Sequence, residues 1–175
     1  MTIAVYPATF DPITNGHIDI ARRAAEIFDR LVVGVYARPS KNLLFSLEER
    51  LQMTSQALVD LPNVSVEPYD GLTVNFAQEQ GAKVVVRGLR VLSDFEWELQ
   101  LALTNRKLAP DIDTICLMAS QEYSFLSSSV VREIALLGGA LDTMAPVHVV
   151  EALNRRLKAL GEDSSNRVKM VSVRD

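Results

Sequence analysis

Five short apolar runs, separated by stretches of helical periodicity, constrain the fold of this chain more than any other feature. They are Ile3-Ala4-Val5, Leu31 to Tyr36, Val64 to Glu67, Lys83 to Val86 and Thr114 to Met118. Leu31-Val32-Val33-Gly34-Val35-Tyr36 is apolar at consecutive rather than alternate positions, the pattern of a strand covered on both faces. Between the runs, Ile20, Ala21, Ala24, Ala25, Ile27 and Phe28 recur at helical spacings, with Arg22, Arg23 and Glu26 among them. Ser46 and Glu49 form a capping box that opens a helix to about Val59, and Leu72 to Gln80 is a short helix stopped by Gly81. Ser93 and Glu96 form a second capping box before a long helix to about Leu108. Helices from about Val130 to Leu137 and from Pro146 to Leu160 complete the series. With no internal repeat, this alternation predicts a doubly wound, five-stranded parallel α/β sheet of Rossmann-like form.

At 175 residues the chain suits one domain, expected over 1–161, followed by a polar tail over 162–175. The formal net charge of −4 argues against a general nucleic-acid binder, because such affinity rests on neutralised phosphates. An acidic chain can still take a small polyanion where its cations converge. Cys116 is the sole cysteine, which leaves no intrachain disulfide or cysteine-cluster zinc site; its apolar neighbours predict a buried structural thiol. No apolar run approaches the roughly 20 residues of a membrane span. With no signal-peptide pattern at the N-terminus, a cytoplasmic location is expected.

In a parallel sheet, ligands gather at the carboxyl ends of the strands. The stretch from Tyr6 to His17 leaves the first run there, carrying Thr9, Thr14, Gly16 and His17 into a helix that begins near His17 or Ile18. A helix start aims unpaired N–H groups and a positive dipole end at the crevice. The second run leads to the basic loop Arg38-Pro39-Ser40-Lys41, and the fourth into Arg87-Gly88-Leu89-Arg90. Arginine's planar fork suits phosphate oxygens, and Gly88 permits a close backbone approach or a positive φ. Glu98, one turn into the next helix, is within reach of that arginine loop, or is simply an exposed carboxylate. The fifth run feeds Tyr123-Ser124-Phe125-Leu126-Ser127-Ser128-Ser129. Its hydroxyls serve a helix cap or a phosphate chain. Trp97, Leu101 and Leu108 mark an apolar side of the long helix, either core or subunit interface.

Thr14-x-Gly16-His17 resembles the T/H-x-G-H motif of the nucleotidyltransferase superfamily. The longer string from Thr9 to His17 resembles the bacterial phosphopantetheine adenylyltransferase family. Ser40-Lys41, Phe45 to Arg50, Arg87 to Arg90, Asp94-Phe95-Glu96 and Ser124 to Ser129 resemble that family at matching separations, so the resemblance spans Tyr6 to about Leu160. It implies the nucleotidyltransferase fold and transfer of an adenylyl group from ATP to 4′-phosphopantetheine, yielding dephospho-coenzyme A and pyrophosphate. It also implies Mg²⁺ as cofactor and a homohexamer. By likeness, Thr9, Lys41, Thr73 and Arg87 contact phosphopantetheine. The ATP site draws on Thr9, Phe10 and His17, on Gly88, Leu89 and Arg90, on Glu98, and on Tyr123, Ser124, Phe125, Leu126, Ser127, Ser128 and Ser129. Ala8 stands where the family has glycine, and Tyr123 where it has tryptophan or threonine.

Such a reaction needs no covalent nucleophile or general base, because a phosphomonoester oxygen is already ionised, its second pKa being about 6. It needs in-line alignment with donors and cations around the reacting phosphate, a role that suits His17, Lys41 and Arg90. The residues suggest no all-protein metal cage. Three other readings share parts of the pattern: a sister nucleotide or cytidylyl transferase, a fragment of an aminoacyl-tRNA synthetase, and a non-catalytic nucleotide sensor.

Overall fold

The computed structural model describes residues 1–39 and 42–161. Lys41 and the tail over 162–175 lie outside the described residues. In chain order the elements are β1 (Ile3–Ala8), α1 (Asn15–Ile27), β2 (Arg30–Tyr36), α2 (Leu47–Ala57), β3 (Val64–Tyr69) and α3 (Thr73–Glu79). There follow β4 (Val84–Leu89), α4 (Leu92–Leu108), β5 (Asp113–Met118), a 3₁₀ turn (Gln121–Tyr123), α5 (Ser128–Leu136) and α6 (Val147–Gly161). The strands form one parallel sheet in the order β3-β2-β1-β4-β5. The chain steps outward from β1 through β2 to β3, then crosses back to pair β4 on the other side of β1, with Val5 opposite both Val32 and Val85. This reversal leaves a crevice at the carboxyl ends of β1 and β4.

The pleat divides the core. Ala4, Tyr6, Leu31, Val33, Val35 and Val86 face one helical layer, where they pack with Ile20, Ala24, Met53 and Leu153. Val5, Val32 and Val85 face the other, against Val74, Phe76, Ala77 and Ile112. Consecutive apolar residues therefore serve opposite sides of the sheet, as two-sided coverage requires. A Cβ on Gly34 would stand 2.5 Å from Phe76 Cε1, so only glycine lets α3 lie this close to β2.

Several boundaries differ from the sequence reading. β1 runs on through Tyr6, Pro7 and Ala8, and β4 includes Arg87, Gly88 and Leu89, so those residues belong to strands rather than loops. Ala8 sits in extended backbone that any residue adopts, and it needs no glycine there. The second capping box does not form. α4 starts at Leu92 with Val91 as N-cap and no side-chain cap bond. Asp94 instead turns back to accept the N–H and guanidinium of Arg90. Cys116 is exposed, not buried, because β5 is the sheet edge and both its faces are largely open. Helix α4 inverts the usual pattern: its buried residue is Glu98, while Phe95, Trp97, Leu99, Leu103 and Leu108 are exposed.

Candidate active site

The crevice between β1 and β4 is a cleft of about 540 Å³. Two helix starts open into it: Thr14, Gly16 and His17 at α1, and Ser127, Ser128 and Ser129 at α5. First-turn N–H groups have no partner inside their own helix, so two converging N-termini favour an anion between them.

The spacing of Thr14 and His17 has a direct local cause. Thr14 is the N-cap of α1; its hydroxyl accepts the N–H of His17, and the Thr14 N–H donates to His17 Nδ1 at 3.0 Å. This is a capping box with imidazole where glutamate or glutamine is usual. Accepting at Nδ1 needs a lone pair there, so the proton of the neutral ring sits on Nε2. The ring is fixed further by Phe10, edge-on with centroids 5.1 Å apart. The helix start and the cleft-lining histidine are thus one arrangement.

The two arginines of β4 and its exit reach the cleft already paired. Arg87 donates from Nε and Nη2 to Glu98 at 2.7 and 2.6 Å, and from Nη1 to the Pro7 carbonyl at 2.7 Å. Burial lowers the Arg87 pKa, but the Glu98 hydrogen bonds and charge outweigh it and leave the group above the usual arginine value. Arg90 donates to both Asp94 oxygens and to the Leu126 carbonyl at 2.9 Å, tying β4 to the loop before α5. Burial raises the Asp94 carboxyl, but the Arg90 hydrogen bonds hold it below the usual carboxylate range. The described part of the cleft therefore carries two balanced ion pairs rather than a surplus of cations. Each guanidinium has five N–H donors and commits three, so both retain donors for a ligand. Tyr6 lines the same wall, its phenol held protonated by burial, far above the ordinary tyrosine range.

Other expected residues divide. Thr9, Phe10, Gly88, Tyr123 and Leu126 line the cleft. A Cβ on Gly88 would come within 3.2 Å of Ile20 Cγ1, so this glycine serves close packing of α1 on β4, not a positive φ. Leu89 is buried beneath the cleft, and Phe125 projects into solvent. Ser124 donates to the Gln121 carbonyl, outside the lining. Thr73 stands at the start of α3, its hydroxyl 3.4 Å from that of Tyr69, a lining residue. Of the three serines, Ser127 caps α5 and Ser128 donates to the Pro12 carbonyl at 2.8 Å. Tyr36 and Tyr69, whose rings meet at 5.0 Å, add an aromatic wall that the sequence reading passed over. Their signal was faint, since each closes a strand as an ordinary β-forming residue.

A clamp behind the cleft was also missed. Asp11, 1% exposed, accepts the N–H groups of Leu44 and Phe45 at 2.9 and 3.0 Å and the guanidinium of Arg132. It fastens the segment before α2 to the loop after β1. Among the described residues, no group of three or more His, Cys, Asp or Glu stands close enough to hold a metal ion. Nor is any described helix long and apolar enough to cross a membrane.

Residues 5–134 match the model of the cytidylyltransferase-like family. A phosphopantetheine adenylyltransferase of Desulforudis audaxviator is 54% identical over 162 residues, covering 93% of this chain and 99% of that protein. The proteins of that name from a Roseiflexus species and from Clostridium tetani are 55% and 47% identical, each alignment covering 89% of this chain. They are themselves covered over 97% and 98% of their lengths. Among solved structures, a Vibrio parahaemolyticus protein named as a candidate nicotinate-nucleotide adenylyltransferase superposes with a TM-score of 0.66 at 18% identity. That likeness covers 90% of this chain and 95% of the other, and it bears on the fold alone.

Proposed function

The chain belongs to the phosphopantetheine adenylyltransferases, within the cytidylyltransferase-like family, and on that premise we propose how its cleft performs adenylyl transfer. The enzyme passes the adenylyl group of ATP to 4′-phosphopantetheine, giving dephospho-coenzyme A and pyrophosphate in coenzyme A synthesis. The attacking phosphate oxygen is ionised without help, so the cleft supplies geometry and donors rather than a base. Nε2–H of His17 donates to the α-phosphate as charge gathers there, beside the α1 and α5 N-termini. Arg90, steered by Asp94 and the Leu126 carbonyl, faces the triphosphate. Arg87, gripped by Glu98, meets the phosphate of phosphopantetheine, with Thr9, Thr73 and Lys41 along the same substrate. On this reading Glu98 acts by aiming Arg87, which deepens the simpler expectation that it touches ATP. One observation carries the mechanism: the hydrogen bond that spends Nδ1 of His17 on the Thr14 N–H and leaves a proton on Nε2.

Mg²⁺ fits as a passenger on the triphosphate, since the donors lining the cleft suit phosphate oxygens and magnesium needs few protein ligands. When bound, it neutralises charge on the departing pyrophosphate. The setting proposed is the cytoplasm, where ATP is held. Pyrophosphate release from ATP, measured with phosphopantetheine and with nicotinamide mononucleotide in parallel, tests the substrate. Release is expected with the first and not the second; the reverse would place the chain with a sister enzyme.

Assembly into a homohexamer is part of the same proposal. Its support is the exposed face of α4, where Trp97 is 62%, Leu103 62% and Leu108 55% exposed, beside Met118 of β5 at 64%. So much apolar surface on one helix is characteristic of a subunit contact. Sedimentation at micromolar concentration should show an oligomer that Leu99→Glu/Leu103→Glu dissociates. A monomeric wild-type chain would remove the proposal.

A further inference from the structure

Arg50 is the largest side chain wholly shut from solvent, with 0% exposure. Its described hydrogen bonds all go to backbone carbonyls: Nη1 to Thr9 at 2.7 Å and Tyr36 at 2.8 Å, and Nη2 to Ala37 at 3.4 Å. Its Nε is buried without a hydrogen-bond partner. The guanidinium answers three backbone carbonyls that an apolar residue of similar volume would leave without it. What the guanidinium achieves is a link between the carboxyl ends of β1 and β2, at the lip of the cleft.

The link falls next to a strained residue. Phe10 has φ 51°, a left-handed conformation that is unfavourable for a non-glycine residue and persists only where its surroundings impose it. The Thr9 carbonyl before it is held by Arg50 of α2. After it, the Asp11 carbonyl takes Arg132 Nη1 at 2.9 Å, and the Pro12 carbonyl takes the Ser128 hydroxyl, both from α5. The Phe10 ring in turn lies edge-on to His17. We infer that Arg50 is a positioning residue for adenylyl transfer, holding the Thr9 carbonyl so that the Phe10 turn keeps its left-handed form and fixes the His17 ring. The kinetic part rests on the function proposed above; the geometric part does not.

The test uses the full-length protein and its two histidines. With histidine-labelled protein, the imidazole resonances of His17 and His148 are followed by NMR, His148→Gln supplying the assignment. His148 Nε2 lies 3.1 Å from the Met53 carbonyl, on the same helix as Arg50, and reports whether α2 itself has moved. Arg50→Met is expected to shift the His17 signals, leave His148 in place, and lower kcat by about tenfold to 10²-fold, as a small misplacement of reacting groups does. Arg50→Lys, a shorter cation without the second nitrogen that reaches the Ala37 carbonyl, should fall between wild type and Arg50→Met in both readouts. Wild-type His17 signals and kcat in folded Arg50→Met overturn the inference, and so does joint movement of both histidines. If Arg50→Met does not fold, unchanged His17 signals and kcat in Arg50→Lys overturn it equally. A wild-type chain without adenylyl transfer would defeat the proposed function, while the His17 resonances still decided the positioning.

Discussion

Replacing His17 by alanine should lower kcat by about 10²–10³ while both KM values stay within a few fold. That is the usual cost of deleting one preorganised donor to an oxyanion, roughly 3–4 kcal/mol, and the pattern expected of a bond made only in the transition state. The structure adds a second arm. Alanine also removes the reciprocal half of the α1 capping box, which should cost about 0.5–2 kcal/mol of stability. His17→Glu restores an acceptor for the Thr14 N–H but brings no proton to the cleft. Its Tm should return toward wild type while kcat remains low. Steady-state kinetics beside thermal melts separate the two effects, and a His17→Ala enzyme with wild-type kcat would reduce this residue to a cap.

The largest stability effect is expected at Asp11. Its carboxylate is 1% exposed and takes two backbone N–H groups and Arg132, whose side chain is 14% exposed. Asp11→Ala strands all three donors at once. Removing one partner from a buried ion pair costs about 3–5 kcal/mol, because the remaining charge is left uncompensated. For a chain of this size that corresponds to a fall in Tm of about 6–20 °C. Asp11→Ala/Arg132→Met should recover part of the loss, since the buried cation then goes too. Calorimetry at matched protein concentration measures both, and a single variant that melts within a degree or two of wild type contradicts the clamp.

Strand and helix order was legible because two-sided burial writes itself as consecutive apolar residues, each serving one layer or the other. The candidate site was legible where a residue type stands beside a strand end, and His17, Arg87 and Arg90 all line the cleft. Partnership was harder to read. That Glu98 and Asp94 would each claim an arginine depends on where α4 begins, and Ser93 and Glu96 offered a cap that the chain does not use. Arg50 and Arg132 look like polar residues on amphipathic helices until the fold sets them against carbonyls distant in sequence. Cys116 misled for a similar reason: its apolar neighbours describe a covered strand, and nothing local says that β5 ends the sheet.

Trp97 is the sole tryptophan, lines the cleft, and stands on the exposed face of α4 beside the ion pair of Arg87 and Glu98. Its placement makes the molecule its own optical probe. All indole fluorescence in the chain originates at one spot, where ligand entry and the proposed subunit contact would each change the local polarity. A nucleotide titration can therefore be followed on unlabelled protein, at an emission whose source is unambiguous. Dilution without nucleotide tests the proposed assembly from the same side chain.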